Sequence, residues 1–339
     1  MGLSQIYLST GSCLTSLIQQ GGYRLKTLLI YGVESVAGAN IANTLSEHYH
    51  VVGIAIGQCP EIEHCQMLSG EAALDPPGHI LKDLNPDYVI DATCCGDSAW
   101  NPDLEIGDEY QCSLAVERAA ICQRLGSKYT LLSSDAVFAG PWMFHEEGSE
   151  FSCSFPQGKR LIQLEDDVRQ ACSDSLIVRT NLFGWNWLEN KTGWIESLLH
   201  RMQMTSGACH ELSFPGHATP IFTTDLAWIL ARGFEENLTG TFHICGAERV
   251  NRQQFASKLA ETFNINWHRE SFSNEHFSLS ERNHFACGET SLQTRNIRKS
   301  LCVAMPTLTA GMALLLSQQP ARKLQDEFTI SEAEFSRAA

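Results

Sequence analysis

From Leu25 the chain alternates short apolar runs with amphipathic stretches, a strand-sized segment followed by a helix-sized one at least four times before Gly184. Such a pattern buries both kinds of element only when the strands form a mainly parallel sheet with helices against its faces. Apolar runs at 28–31, 51–56, 88–92, 129–132 and 176–178 are the expected strands, and helices are expected at about 37–48, 109–125 and 159–172. After Gly184 the regularity weakens. Aromatic residues crowd Phe183, Trp185 and Trp187, a helix is expected over about 225–234 and a strand over 241–245, and Asn251 and Gln254 have the spacing of a capping box that opens a further helix. With 339 residues, 43% of them hydrophobic, the chain is long enough for two domains with sizeable cores.

Charge narrows the function. Lys and Arg number 24 against 39 Asp and Glu, a formal charge of −15, and that mean field repels phosphate backbones and anionic lipid. Neither nucleic acid nor a membrane surface is an expected partner. The 13 cysteines are odd in number and contain no C-x-x-C pair, which predicts reduced thiols packed as small hydrophobes. Cys59, His64 and Cys65, like Cys94 and Cys95, lack a second half with zinc-ligand spacing, so no metal site is expected. No stretch reaches the roughly 18 apolar residues of a membrane span. The segment before Leu25 has no basic n-region, and Ile6 stands where a myristoylation signal needs Ser or Thr. The glycosylation patterns at Asn190 and Asn237 carry no weight without secretion. A cytoplasmic protein is the expectation.

The first expected strand runs directly into a turn with Gly32 and Gly38 at its ends and Ser35 in the middle, and then into a helix. Glycines so placed permit a tight turn and close approach of backbone to a pyrophosphate, which the helix N-terminus favours through its free N–H groups and dipole. On the first strand–helix unit of a doubly wound sheet, this points to a Rossmann-type dinucleotide site. Two features depart from the usual pattern. Ser35 replaces the middle glycine, and after the next strand Gln58 stands near the place of the acidic residue that takes a ribose hydroxyl, or of the Arg that takes a 2′-phosphate. NAD and NADP are therefore not distinguished, and weakened binding is expected.

Further on, Ser133, Ser134, Asp135, Val137, Phe138 and Gly140 follow a strand, and Phe155 precedes Lys159 by four residues at the start of a helix. With the glycine turn, with Arg179 and Thr180 leading to Gly184, and with Pro220 to Ala227, Gly240 to Gly246 and Ser291 to Thr294, these stretches resemble in order the dTDP-4-dehydrorhamnose reductase family of extended short-chain dehydrogenase/reductases. The likeness spans roughly residues 25–315.

The resemblance implies a Rossmann-type doubly wound α/β domain over 25–184 with additions from about 216–246, and a smaller, mixed C-terminal substrate-binding region from 185–215 and 247–315. Residues 1–24 are then an N-terminal extension and 316–339 a polar tail. It implies NAD or NADP bound by Gly32, Ser35, Gly38, Ala92, Thr93 and Lys159, with Ser134 and Lys159 as catalytic residues. A nucleotide-sugar or related small molecule is the implied ligand, and the resemblance leaves room for a protein partner or a homo-oligomer.

In that family a Tyr four residues before the Lys delivers the proton, and the ammonium eases its ionisation. Here the position is Phe155, while Ala136 and Ala139 replace the family's second tyrosine and its aspartate. The family also includes the regulatory β subunit of methionine adenosyltransferase, so membership does not dictate an activity. Departures at Ser35, Gln58, Ala136 and Phe155 favour a binding or regulatory protein with lost or much reduced catalysis. The other reading is an active reductase or epimerase of a nucleotide-linked 4-keto sugar with a substitute proton donor, for which His145 is the candidate. Lys159, a cation near a helix N-terminus, predicts a ligand or acidic partner, and Glu165, Asp166 and Asp167 are read as a solvated helix face.

Overall fold

A computed structural model describes residues 24–69, 77–150, 152–189, 191–204, 210–267 and 285–319. Residues 1–23 of the N-terminal extension, residues 205–209 and 268–284 of the expected substrate-binding region, all but the first residues of the polar tail, and Asn190 lie outside them. In chain order the elements are β1 (Thr27–Tyr31), α1 (Val36–Leu45), β2 (His50–Ala55), β3 (Cys65–Ser69), α2 (Pro77–Leu84), β4 (Tyr88–Asp91), α3 (Glu109–Leu125), β5 (Lys128–Ser134), α4 (Pro156–Ala171), β6 (Leu176–Thr180), β7 (Leu182–Phe183) and α5 (Trp194–Gln203). They continue with β8 (Gly216–Ala218), β9 (Ile221–Phe222), α6 (Thr223–Glu235), β10 (Gly240–His243), β11 (Val250–Asn251), α7 (Arg252–Thr262), β12 (Gly288–Glu289), α8 (Arg295–Leu301) and α9 (Leu308–Ser317).

Seven parallel strands form the main sheet in the order β10-β6-β5-β4-β1-β2-β3. The order reverses direction between β1 and β4, which opens a crevice at their carboxyl ends. The central strands are buried throughout because helices cover both faces. One cluster joins β1, β2 and β4 to α1 and α6 through Ile30, Ile41, Val51, Leu226 and Leu230. Another joins Leu29, Val89 and Leu131 to α3 and α4 through Ala119, Cys122, Leu164 and Val168. A separate aromatic core of Trp100, Phe183, Trp194, Phe255 and Met312 holds α5, α7 and α9 beside the sheet.

The expected elements are present with shifted ends. α4 begins at Pro156 rather than 159, since proline at the first helical position gives up an N–H that has no helical partner there. The capping box at Asn251 and Gln254 is formed reciprocally. β3 and α2 were not expected. β3 is a half-exposed edge strand, so its sequence carries no apolar run.

Candidate functional site

Gly32 ends β1 with φ +75, and a Cβ there would lie 2.9 Å from the Ala92 carbonyl carbon and from the Thr93 nitrogen. The turn thus presses against the end of β4, and only glycine meets both demands. A Cβ on Gly38 would sit 2.3 Å from the Gly32 oxygen. Ser35 caps α1: its hydroxyl accepts from the Gly38 N–H at 3.0 Å and donates to the Gly32 oxygen at 2.7 Å. Thr93 donates its hydroxyl to Asp91 at 2.6 Å, and Asp91 also receives Arg118 and Tyr129, each at 2.9 Å. The structure therefore brings Gly32, Ser35, Gly38, Ala92 and Thr93 of the expected set together. Gln58 lies exposed beyond β2.

Two carboxylates that sequence reasoning did not assign also reach this crevice. Glu34 accepts the Ile56 N–H at 3.1 Å through one oxygen, and its other oxygen is buried without a partner. Asp97 accepts the Val36 N–H at 3.1 Å, and the neighbouring Gly96 carbonyl accepts the Ala37 N–H at 2.8 Å. Burial pushes both carboxyls above their usual range, against the amides that bond them.

Beside them lies a cleft of about 150 Å³ whose walls include Lys191, Trp194 and Arg201, well below the roughly 300–1,000 Å³ of ordinary ligand pockets. A pyrophosphate needs open N–H groups at the head of α1. In this structure those of Val36, Ala37 and Gly38 are already bonded and two carboxylates lie close by, so none of the three is open to a pyrophosphate.

The catalytic candidates are placed just as informatively. Ser134 ends β5 and is only 1% exposed. Its hydroxyl accepts the Ala136 N–H at 3.1 Å, donates to Asp135 at 3.2 Å and lies against the Cys95 thiol. It caps a turn of 3₁₀ helix formed by Asp135–Val137. Phe155 is the N-cap residue of α4 and makes no side-chain cap. Lys159 lies one turn further along the same face.

Lys159 is exposed and has no hydrogen-bond or ion-pair partner among the described residues, so of the expected ligand or acidic partner the latter is not found among them. The nearest consequence of its charge is on the buried Cys153 thiol, which burial pushes up and Lys159 partly restrains. His145 is 2% exposed and stacks on Phe138 at 4.5 Å, with Nε2 3.0 Å from the Glu289 carbonyl. Burial holds its pKa below the ordinary histidine value, so the ring is neutral and Nε2 carries the proton that meets the carbonyl.

Glu165 corrects the sequence reading. It is 0% exposed and paired with Arg179 at 2.6 Å, while Ser133 donates to it at 2.6 Å. Only Asp166 and Asp167 belong to the solvated side, bonded to Arg169 and Gln163.

Asp135 is fully buried and receives Thr290 at 2.6 Å and Asn181 at 2.9 Å. Desolvation outweighs these donors and raises its pKa from 3.8 to about 6. Its contribution to stability is fully present below 3.8 and is lost as pH rises through 6, because the fold resists ionisation. A carbon-detected NMR titration is expected to show the Asp135 carboxyl with a midpoint near 6; a midpoint below about 4, the unperturbed range, would contradict this placement.

Comparison with known proteins agrees with the fold. The chain is 23% identical over 245 residues to a probable low-salt glycan biosynthesis reductase of Haloferax volcanii, covering 68% of this chain and 78% of the relative. It is 21% identical over 255 residues to methionine adenosyltransferase 2 subunit beta of Bos taurus, covering 71% and 73%. Among solved structures, the dTDP-4-dehydrorhamnose reductase of Bacillus anthracis in complex with NADP superposes with a TM-score of 0.65 at 16% identity, over 87% of this chain and 100% of that one, a likeness of fold. The model of the RmlD substrate binding domain matches residues 26–318, and the chain accordingly belongs to that family, the dTDP-4-dehydrorhamnose reductase-like group of the short-chain dehydrogenase/reductases.

Proposed function

We propose that this member of the family binds a nucleotide-linked sugar or a related small molecule without reducing it, in a binding or regulatory role. Phe155 carries the reading: at the position of the family's tyrosine, four residues before Lys159, stands a side chain with no proton to give. General acid catalysis typically contributes roughly 10² to 10⁴ in rate. Ser134, whose hydroxyl is engaged with Asp135 and the Ala136 N–H, and Lys159, exposed and without a polar partner among the described residues, support it.

His145 supplies no replacement, because its Nε2 proton is committed to the Glu289 carbonyl and the ring is closed from solvent. That the chain's relatives include both a probable reductase and a subunit of a methionine adenosyltransferase supports a family in which reduction is not obligatory.

The test is a titration of the full chain with dTDP- and UDP-linked sugars in the presence of NADPH, following the melting temperature and the 340 nm absorbance together. A ligand at 100 times its dissociation constant stabilises by about 2.7 kcal/mol. A raised melting temperature with constant absorbance is the expected outcome. Steady loss of absorbance overturns the non-reducing assignment, and no shift with any of these sugars overturns the binding role.

A further inference from the structure

We infer that the segment carrying Gly96 and Asp97 is an internal ligand of the glycine turn, so that a nicotinamide dinucleotide can occupy the head of α1 only by displacing it. The inference concerns binding, and it stands whether or not hydride is ever transferred.

Three bonds fill the place where a diphosphate would be received. The Val36 N–H goes to a carboxylate oxygen of Asp97, the Ala37 N–H to the Gly96 carbonyl and the Gly38 N–H to the Ser35 hydroxyl. A carboxylate at a helix N-terminus meets the same donors and the same dipole as a phosphate. Asp97 is thus the chain's own substitute for the anion.

The segment is seated closely. A Cβ on Gly96 would lie 2.2 Å from Ser35 Oγ, 2.4 Å from Ser35 Cβ and 2.8 Å from the Ala92 oxygen. Glycine at position 96 and serine at position 35 are therefore fitted to each other. Where a dinucleotide turn needs bare backbone, this one has a hydroxyl with a peptide packed on it. Glu34, in the same turn, adds a second carboxylate whose buried oxygen has no donor.

Both ends of the segment are held. The Gly107 N–H donates to the Cys94 carbonyl at 3.1 Å, and Arg252 donates to the carbonyl of the buried Trp100 at 3.0 Å. A segment tethered on both sides competes at the effective concentration of an intramolecular group. The apparent affinity for an outside ligand then falls by the fraction of molecules in which the seat is open.

The test compares the full-length wild type with Asp97→Ala and Asp97→Asn, titrated with NADH and NADPH by fluorescence, with thermal melts to establish that each variant is folded. Alanine frees the Val36 N–H and removes the charge, whereas asparagine keeps an acceptor and removes only the charge. The expected result is that Asp97→Ala binds at least about tenfold more tightly than wild type, with Asp97→Asn between them. Equal dissociation constants in wild type and Asp97→Ala overturn the inference, and so does absence of binding in all three proteins. Should Asp97→Ala fail to fold, Asp97→Asn alone decides, and equality with wild type again overturns it.

Discussion

Replacing Glu165 by alanine is expected to lower the folding stability by about 3–5 kcal/mol, the usual cost of removing one partner from a buried ion pair. Arg179 donates Nε at 3.0 and 3.1 Å and Nη2 at 2.6 Å to the two Glu165 oxygens, donates Nη1 to the Glu147 carbonyl at 2.9 Å, and lies over the Phe138 ring. The pair therefore links α4 to β6, and Ser133 extends the link to β5. Without Glu165 the guanidinium keeps one carbonyl partner and remains 7% exposed, an uncompensated charge in the interior.

Asp167→Ala, two residues away on the exposed side of the same helix, is expected to change stability by less than about 0.5 kcal/mol. Urea denaturation of the two variants measures the contrast. A loss below about 1 kcal/mol for Glu165→Ala, the size expected of an exposed pair, would contradict the buried-pair assignment.

The second large effect is on rate. Once Asp97→Ala has opened the turn, adding Phe155→Tyr is expected to raise the rate of 4-keto sugar reduction by about 10² to 10⁴ over Asp97→Ala alone, because the phenol restores a proton donor one helical turn from Lys159. The ammonium, without a polar partner among the described residues, would ease ionisation of that phenol. Steady-state NADPH oxidation with a dTDP-linked 4-keto sugar compares the two. A ratio near one would show that the missing phenol is not what limits this site, and would move the burden to Ser134, whose hydroxyl is engaged with Asp135, or to the altered wall at Ala136 and Ala139.

The repeating strand–helix pattern was legible because it rests on local periodicity, and so was the Gly32 turn, whose requirement for glycine is steric. The capping box at Asn251 and Gln254 was legible for the same reason, since its two bonds join residues three apart. Glu165 was misread although its signal was present. Leu161, Leu164 and Val168 are buried on α4, and Glu165 falls on the same stripe, so helical spacing outweighs the appearance of an acidic run.

Asp97 offered no such signal. Its bond to Val36 spans 61 positions from an irregular segment, and nothing in local composition says that a loop will fold back onto a helix N-terminus. Ser134 shows a further limit: the sequence placed its residue at the strand end correctly, but the direction of its hydroxyl follows from the turn at Asp135–Val137 and the packing of Cys95.

On the proposed function, the wild-type chain leaves a sugar carbonyl unreduced because a phenyl ring stands where the proton would be supplied. The most direct test is single-turnover incubation of concentrated wild-type protein with deuterated NADPH and a dTDP-linked 4-keto sugar, with deuterium in the recovered sugar measured by mass spectrometry. No deuterium above a protein-free control is the predicted result. Deuterium at the sugar carbonyl carbon, delivered by the unmodified protein, would contradict it.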